Sequence, residues 1–419
     1  MDVSPFAVLL LQLSVLLGVA IVGGQVARRF GQPAVVGEIV GGLLIGVTVA
    51  GALAPGVFDW LFVASAEATT SRQAVVNLGM LFFLFVAGCE VDLTDLRSIG
   101  PKALAIGAAG TFVPLAAGAA LVFALPEEVW GSTTTGRLPL ALFVGVNLAN
   151  SANPVLARIL VDLDLMKTEV GSISMTATIV DDLVNWSVFA VLVSTSAPEV
   201  ADGSSNSALG SVLAVIGLVV VIVGVGRWLG ARGLVQLRRR TTWPTGFLGA
   251  VAVLILLAAA AAEAAGVHAF FGAFLAGVAL SGHDREHREA HEVTSRFALG
   301  FFAPIYFASI ALTTDFLDGF DPLLVVLLVV AACATKVGGV LLCARIAGMP
   351  ADRTAWAVAW GLNARGATGI VLASVGRASG LIDDHLFVAL VLMALVTTAI
   401  AGPMMERTLR GRPDADVVG

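Results

Sequence analysis

Apolar residues in this chain run in blocks much longer than the alternation of a strand or the single stripe of a soluble amphipathic helix. From Pro5 to Ala27, Pro101 to Leu125 and Pro322 to Cys343, apolar and small residues cover nearly every face of any helix drawn through them. Polar clusters such as Arg28-Arg29 and Asp315 to Asp318 interrupt the blocks. A bilayer core takes about 20 such residues as a helix, and a helix apolar all round is buried in lipid or protein. The runs between polar breaks predict about thirteen spans, over 5 to 27, 33 to 53, 73 to 90, 101 to 125, 138 to 161, 170 to 195, 208 to 229, 245 to 265, 267 to 282, 297 to 313, 321 to 345, 354 to 377 and 384 to 406. The pair 245 to 265 and 267 to 282 is divided only by Gly266 and His268, and a single longer run is the alternative there. The fold class expected is an all-α polytopic membrane protein.

Composition agrees with this pattern and removes other classes. Of 419 residues, 58% are hydrophobic and 13% charged, with a net charge of −6; soluble domains average about 25% charged. Disorder, a basic nucleic-acid binder and a typical cytosolic enzyme are excluded as readings. No nucleic acid and no cofactor is expected, and the bilayer is the first partner. Cys89, Cys333 and Cys343 are odd in number, lack metal-ligand spacing and read as small packing residues. Only Lys102, Lys167 and Lys336 are lysine among 24 basic residues, a bias of GC-rich bacterial genomes, so the bacterial plasma membrane is the location expected. Asp2 precedes the first run and Arg28 and Arg29 follow it, the reverse of a cleavable signal peptide, so that run stays as a span.

The basic residues also set an orientation. With the N-terminus outside, most of the 24 fall in cytoplasmic loops and the tail, while Arg72, Arg137 and Arg377 fall outside with acidic residues such as Glu127, Glu128, Asp315 and Asp321. That asymmetry supports an odd number of spans and a cytoplasmic C-terminus. Lys336 and Arg365 are the exceptions that fall inside spans.

Two spans carry polar, helix-breaking residues at their centres. Span five reads Asn147-Leu-Ala-Asn150-Ser151-Ala-Asn153-Pro154, and span twelve reads Gly361-Leu-Asn363-Ala-Arg365-Gly366-Ala-Thr368-Gly369. Proline removes a backbone donor and glycine weakens a helix, so both segments are expected to unwind at membrane depth. They lie seven spans apart and cross in opposite directions, the outline of an inverted repeat with a substrate site near the midplane. A simple proline kink is the plainer alternative.

Span six contains Thr178, Asp181, Asp182 and Asn185. One carboxylate at the centre of a membrane helix costs about 2.5 to 3.5 kcal/mol, and packing gives no reason to retain two. Adjacent carboxylates disfavour each other's ionisation, so protons and a bare monovalent cation can compete for the same oxygens. The plainer reading has one aspartate merely pair with a buried cation. Lys336 is mid-span and cannot snorkel, so Asp181 is its natural partner. Burial disfavours its charge, which would let it release a proton when a cation occupies the site. Arg365 stays charged and is expected to offset half-helix C-terminal dipoles or carboxylates. Asn147, Asn150 and Asn153 recur every three residues, so one helix face is expected to carry them, with Ser151 adding a hydroxyl. Their oxygens either contact an ion or water, or serve helix-to-helix hydrogen bonds. Asn185, one turn beyond Asp181, is placed to orient it.

Other features read more plainly. The Gly42 to Gly46 and Gly226 to Gly230 spacings indicate close helix packing. His283, His287 and His291 recur at i, i+4, i+8 in a charged loop, where a solvated helix outweighs a metal or pH sensor. Glu38 is a candidate cavity carboxylate and Glu263 an interfacial one.

Segments across almost the whole chain resemble the monovalent cation:proton antiporter-2 family, the Na+/H+ and K+/H+ exchangers of bacteria and plants. They are Pro33-Ala-Val-Val-Gly37-Glu38, Leu81-Phe-Phe-Leu-Phe-Val-Ala-Gly88-Cys-Glu90-Val-Asp92, Pro154-Val-Leu-Ala-Arg158, Val180-Asp181-Asp182, His268-Ala-Phe-Phe-Gly272, Phe301-Phe-Ala-Pro304-Ile and Asn363-Ala-Arg365-Gly366. The resemblance implies the Na+/H+ antiporter fold, with crossed, unwound helices. Residues 1–100 and 208–313 would form dimerisation scaffold helices, and 101–195 and 321–408 a mobile ion-translocation core. Residues 409–419 would be a short tail with no soluble regulatory domain. It implies a homodimer that is no enzyme and exchanges Na+ or K+ for protons, with the ion at Asp182 and Asp181 paired to Lys336, an arrangement similar to the electrogenic members. No metal beyond that cation at Asp181 and Asp182 is expected. Two departures stand out: Asn153 and Ser151 ahead of Pro154, and Gly369 where relatives often have Glu. They support a rival reading, an antiporter fold turned to sensing, membrane enzymology or metabolite export without ion exchange.

Overall fold

A computed structural model of the chain describes residues 4–89, 101–131, 136–166, 168–196, 217–222, 224, 245–265, 267–281, 292–346 and 352–409. Among these residues there is helix and no strand. The helices are α1 Pro5–Arg29, α2 Ala34–Ile45, α3 Pro55–Phe58, α4 Ala66–Cys89, α5 Pro101–Ala124, α6 Arg137–Ala149, α7 Asn153–Asp162, α8 Glu169–Ser196, α9 Thr245–Ala264, α10 Ala269–Leu280, α11 Ala303–Leu312, α12 Pro322–Ile346, α13 Arg353–Leu362, α14 Gly366–Ala378 and α15 Asp384–Leu409. Nine helical segments among the described residues are long and apolar enough to cross a bilayer. The chain divides into two compact units, Met1–Val91 with Leu213–Asp318, and Asp92–Val212 with Gly319–Gly419.

In the first unit α4, α9 and α10 share a core of Phe82, Phe85, Val86, Phe247, Val251, Ile255, Ala273 and Leu280. The doubtful run at Gly266 is two helices, α9 and α10. Glu263 Oε2 accepts from the Ala269 N–H at 2.9 Å and His268 Nδ1 from the Phe270 N–H at 3.4 Å, which caps the start of α10. Glu263 thus has a capping part as well as a place near a helix end. Span two is not one helix. The backbone is extended at Gly46 and a π-helical turn, Val47–Gly51, follows. A Cβ at Gly42 would overlap the Ala308 carbonyl, and one at Gly46 would sit 2.6 Å from the Ala311 oxygen, so both glycines let α2 lie against α11.

Span three begins earlier than its apolar run. Ser65 Oγ caps the Ala68 N–H at 3.2 Å, and α4 runs through the polar residues 67 to 73 before turning apolar. Arg72 is therefore a buried helical residue instead of an outer-loop one. Its guanidinium carbon lies 5.6 Å from the centre of the Phe62 ring, a cation–π contact inside the unit.

In the second unit α5, α7, α8, α12, α13 and α15 pack around Ile106, Leu156, Leu160, Val170, Val340, Val358, Leu362 and Met405. Two predicted spans are each a pair of half-helices: α6 and α7, and α13 and α14. Spans one, four, six, eleven and thirteen correspond to α1, α5, α8, α12 and α15 within a few residues at each end. Span seven lies mostly outside the described residues, as do the Gly226 to Gly230 pair, Lys167, His283, His287, His291 and residues 410–419.

The glycine contacts give a stability test. Gly42→Ala has to displace the Ala308 backbone and should destabilise the protein by about 1–3 kcal/mol, as overpacking does. Gly18→Ala, where nothing lies within 4 Å, should be neutral or stabilising. Thermal midpoints of the detergent-solubilised variants check both; equal midpoints would refute the α2 to α11 contact.

Candidate functional site

The site grows from the two helix breaks. α6 ends at Ala149 and the backbone at Asn150 is extended, with φ −56° and ψ 139°. α7 restarts at Asn153 with Pro154 in its first turn, where a missing N–H costs nothing. In the other pair α13 ends at Leu362 and α14 starts at Gly366, whose φ is +48°. A Cβ there would lie 2.5 Å from Val155 Cγ2 and 2.8 Å from Ala152 Cβ, so both backbone and space require glycine.

The breaks cross and are joined by hydrogen bonds. The Ala152 N–H donates to Ala364 O at 2.6 Å and the Ser151 hydroxyl to Leu362 O at 2.7 Å. Asn150 Nδ2 donates to Thr368 Oγ1 at 3.0 Å and lies 3.4 Å from Arg365 O. The Gly366 N–H is taken up by Thr398 Oγ1 at 2.7 Å.

Two cations occupy the C-terminal end of α6. Arg365, fully buried, donates from Nε to Asn147 O at 3.3 Å and from Nη2 to Leu148 O at 2.5 Å and Ala332 O at 3.2 Å. Its Nη1 donates to Asn363 O at 3.1 Å and Asn363 Oδ1 at 2.8 Å. Lys336, 1% exposed, donates to Ala149 O and to Asp181 Oδ2, the latter at 2.9 Å. Three successive carbonyls that have no partner within their own helix thus face positive charge.

Asp181 is held on both oxygens. Oδ2 receives Lys336, and Oδ1 receives Thr111 Oγ1 at 2.8 Å and Asn185 Nδ2 at 3.1 Å. Asp182 follows on α8 and is 4% exposed. Thr178, Asp181, Asp182 and Asn185 stand three or four residues apart and share one broad face of α8, the two aspartates about 100° from one another. On the Asp182 side, Thr178 Oγ1 reaches Asn153 Oδ1 at 3.1 Å and Met175 O at 2.7 Å. Amide atoms remain without partners among the described residues: Asn150 Oδ1, Asn153 Nδ2 and Asn185 Oδ1 are buried and unpaired.

All ten candidate residues, Asp181, Asp182, Lys336, Arg365, Asn150, Ser151, Asn153, Asn363, Thr178 and Asn185, lie in the second unit on α8, on α12 or at the two breaks. The asparagine spacing was misleading in one respect. The extended backbone at Asn150 ends the helical register, so the three asparagines do not share a face. Asn147 Nδ2 bonds back to Phe143 O at 3.0 Å, Asn150 turns to the opposite break and Asn153 to Thr178. Cys333 is more than packing, since its Sγ accepts from Asn363 Nδ2 at 3.2 Å. Thr111 and Thr398 escaped the sequence reading, because a lone threonine in an apolar helix has no distinguishing pattern, while Thr368 stood in the span-twelve break without a part assigned to it. Glu38 is buried on α2 in the first unit, its Cγ against Gly24.

The family model described as "Sodium/hydrogen exchanger, transmembrane" matches residues 15–411. The Na(+)/H(+) antiporter NhaS4 of Synechocystis sp. is 30% identical over 410 residues, 97% of this chain and 98% of that protein. Cation/H(+) antiporter 18 of Arabidopsis thaliana is 30% identical over 406 residues, 94% of this chain and 48% of that protein, so the chain spans about half of this longer relative. Among solved structures, the sodium proton antiporter MjNhaP1 from Methanocaldococcus jannaschii superposes with a TM-score of 0.68 over 96% of each chain, at 14% identity, which establishes the likeness of fold.

A double-mutant cycle tests the ion pair. Lys336→Met leaves the Asp181 carboxylate buried without its cation and should cost about 3–5 kcal/mol. Adding Asp181→Asn should recover a measurable part of that loss, because the stranded charge is gone. Thermal midpoints of the two single variants and the double variant decide; strictly additive losses would show that the two groups are not energetically coupled.

Proposed function

The chain belongs to the family of transmembrane sodium/hydrogen exchangers, and from that membership we infer that it is a secondary active antiporter, exchanging a monovalent cation, Na+ or K+, for protons. The observation that carries the residue assignment is the buried Lys336–Asp181 pair with Asp182 beside it, at the point where two broken helices meet. Asp182 is the carboxylate that binds the cation or a proton. Asp181 is engaged by three donors, Lys336, Thr111 and Asn185. The Thr178 hydroxyl and the Asn153 amide border the Asp182 face of α8 and can supply neutral oxygens in place of water.

A cation at Asp182 and a proton at Asp182 exclude one another, so each switch of access carries one or the other. A cation arriving near Lys336 also disfavours the ammonium charge, and the lysine gives up its proton; more protons than cations then move per cycle, which makes exchange electrogenic. Arg365 does not take part in this proton traffic, because a guanidinium stays charged. Its part is to hold the α6 carbonyls while the site opens to either side. Residues 101–195 and 321–408 form the moving core, 1–100 and 208–313 the scaffold, and the scaffold makes a homodimer. The asymmetry of basic residues supports an N-terminus outside and a C-terminus in the cytoplasm, in a bacterial plasma membrane. The rival reading, a fold without ion exchange, is disfavoured by the complete Asp181, Asp182 and Lys336 set.

Proteoliposomes with an internal pH dye test this reading. Na+, K+ and Li+ gradients, with and without an imposed potential, should reveal cation-driven proton movement that responds to voltage. Asp182→Asn should abolish it, and an Asp182→Asn variant that exchanges as the parent does would sink the assignment.

A further inference from the structure

Arg72 occupies a core position of α4. Ala68, Val76 and Gly79 share its buried helix face, and the arginine is 3% exposed. Its guanidinium lies over the Phe62 ring, yet Nε and Nη1 are both buried without a hydrogen-bond partner. The carboxylates nearest along the chain are Asp59, on the π-helical turn Asp59–Val63, and Glu67 on α4. Both are exposed and neither makes an ion pair with Arg72 among the described residues.

Two other arginines show how this chain answers a guanidinium held away from solvent. Arg365 has a carbonyl or amide acceptor at each nitrogen. Arg137 donates to the Val122, Phe123 and Leu125 carbonyls and lies 3.6 Å from Glu127. Arg72 has neither kind of answer at Nε and Nη1, and a guanidinium does not shed its charge to escape burial. The Phe62 ring attracts the cation with its face but does not take up the N–H groups in the guanidinium plane. The carbonyls of the turn already receive other donors: Gln12 Nε2 reaches Leu61 O at 2.6 Å and Thr69 Oγ1 reaches Phe62 O at 3.1 Å. α1, the turn and α4, all in the first unit, pack on one another around this charge.

We propose that Arg72 is the centre of a binding site for a small inorganic anion, chloride, seated in the guanidinium plane within reach of the unpartnered N–H groups. Charge and size select the ligand. One buried guanidinium calls for one negative charge, and a side chain 3% exposed leaves no opening for a phosphate ester or a lipid headgroup. The anion would join α4 to the turn that Gln12 and Thr69 already hold, so its effect is on the stability of the first unit. The site shares no residue with Asp181, Asp182 or Lys336 and stands whether or not the antiport reading does.

The test is the thermal midpoint of the detergent-solubilised full chain as potassium chloride replaces potassium gluconate. Potassium and ionic strength stay fixed, so the cation site meets the same conditions throughout. The parent midpoint should climb with chloride, on the order of 2 °C for each tenfold increase above half-saturation, and bromide should act likewise. Arg72→Gln should lose the climb. Arg72→Lys keeps a charge without the planar set of donors, so its half-saturation should move severalfold higher in chloride. Equal parent midpoints in chloride and gluconate would overturn the proposal, leaving water or Gln12 Oε1 to answer the guanidinium, and so would an Arg72→Gln variant that climbs as the parent does. Should Arg72→Gln fail to fold, Arg72→Lys decides, and a chloride curve matching the parent's overturns the site. Should neither variant fold, anomalous scattering from bromide-soaked crystals decides: a peak against the Arg72 guanidinium upholds the site and its absence overturns it.

Discussion

A helix broken inside a membrane protein leaves carbonyls and amides that no water can reach, and the second unit is organised around supplying their partners. The end of α6 presents Asn147, Leu148 and Ala149 carbonyls to Arg365 and Lys336. The start of α14 gives its first N–H to Thr398, and the chain between the half-helices bonds across to the other break through Ala152, Ser151 and Asn150. Each break completes the other, so neither would persist alone. That dependence fixes the place of Asp181 and Asp182, because α8 packs where Lys336 must reach both Ala149 and Asp181.

The two cations at this crossing do different work because their chemistry differs. Arginine offers five N–H donors in a fixed plane and keeps its charge, which suits a permanent clamp on carbonyls. Lysine is a single point charge whose protonation responds to burial and to neighbouring ions. Exchanging their positions would place the fixed charge against Asp181 and the conditional one against the helix end. The carbonyls at the helix end would then lose the planar set of donors that satisfies them.

Much of this was legible in the sequence, for physical reasons. Long runs apolar on every face have few alternatives to membrane helices, so α1, α5, α8, α12 and α15 could be placed to within a few residues. Asparagine, proline and arginine in the middle of such runs are costly enough to mark both breaks and the charged residues. What could not be read is local geometry that costs little. The extended backbone at Gly46 sits inside a continuous apolar run, and the start of α4 is polar, so the run concealed one break and delayed one helix. The register change at Asn150 separated asparagines whose spacing had suggested one face. Thr111 was invisible because nothing local distinguishes it from a threonine bonded to its own helix.

Gly369, one of the two departures from family pattern, lies in space beside Asn150 of the other break. A Cβ at Gly369 would lie 3.4 Å from Asn150 Nδ2 and 3.4 Å from Arg365 Cβ, so a side chain there would lie against both. Asn150 bonds Thr368. A carboxylate beside Arg365 would ordinarily answer the buried charge, yet this guanidinium meets an acceptor for each of its five N–H groups: Asn147 O, Leu148 O, Ala332 O, Asn363 O and Asn363 Oδ1. With the charge dispersed over carbonyl dipoles, the guanidinium is answered without a carboxylate at 369. A glycine where an acid would stand therefore changes how the crossing is balanced, and the Lys336–Asp181 pair stands without that acid.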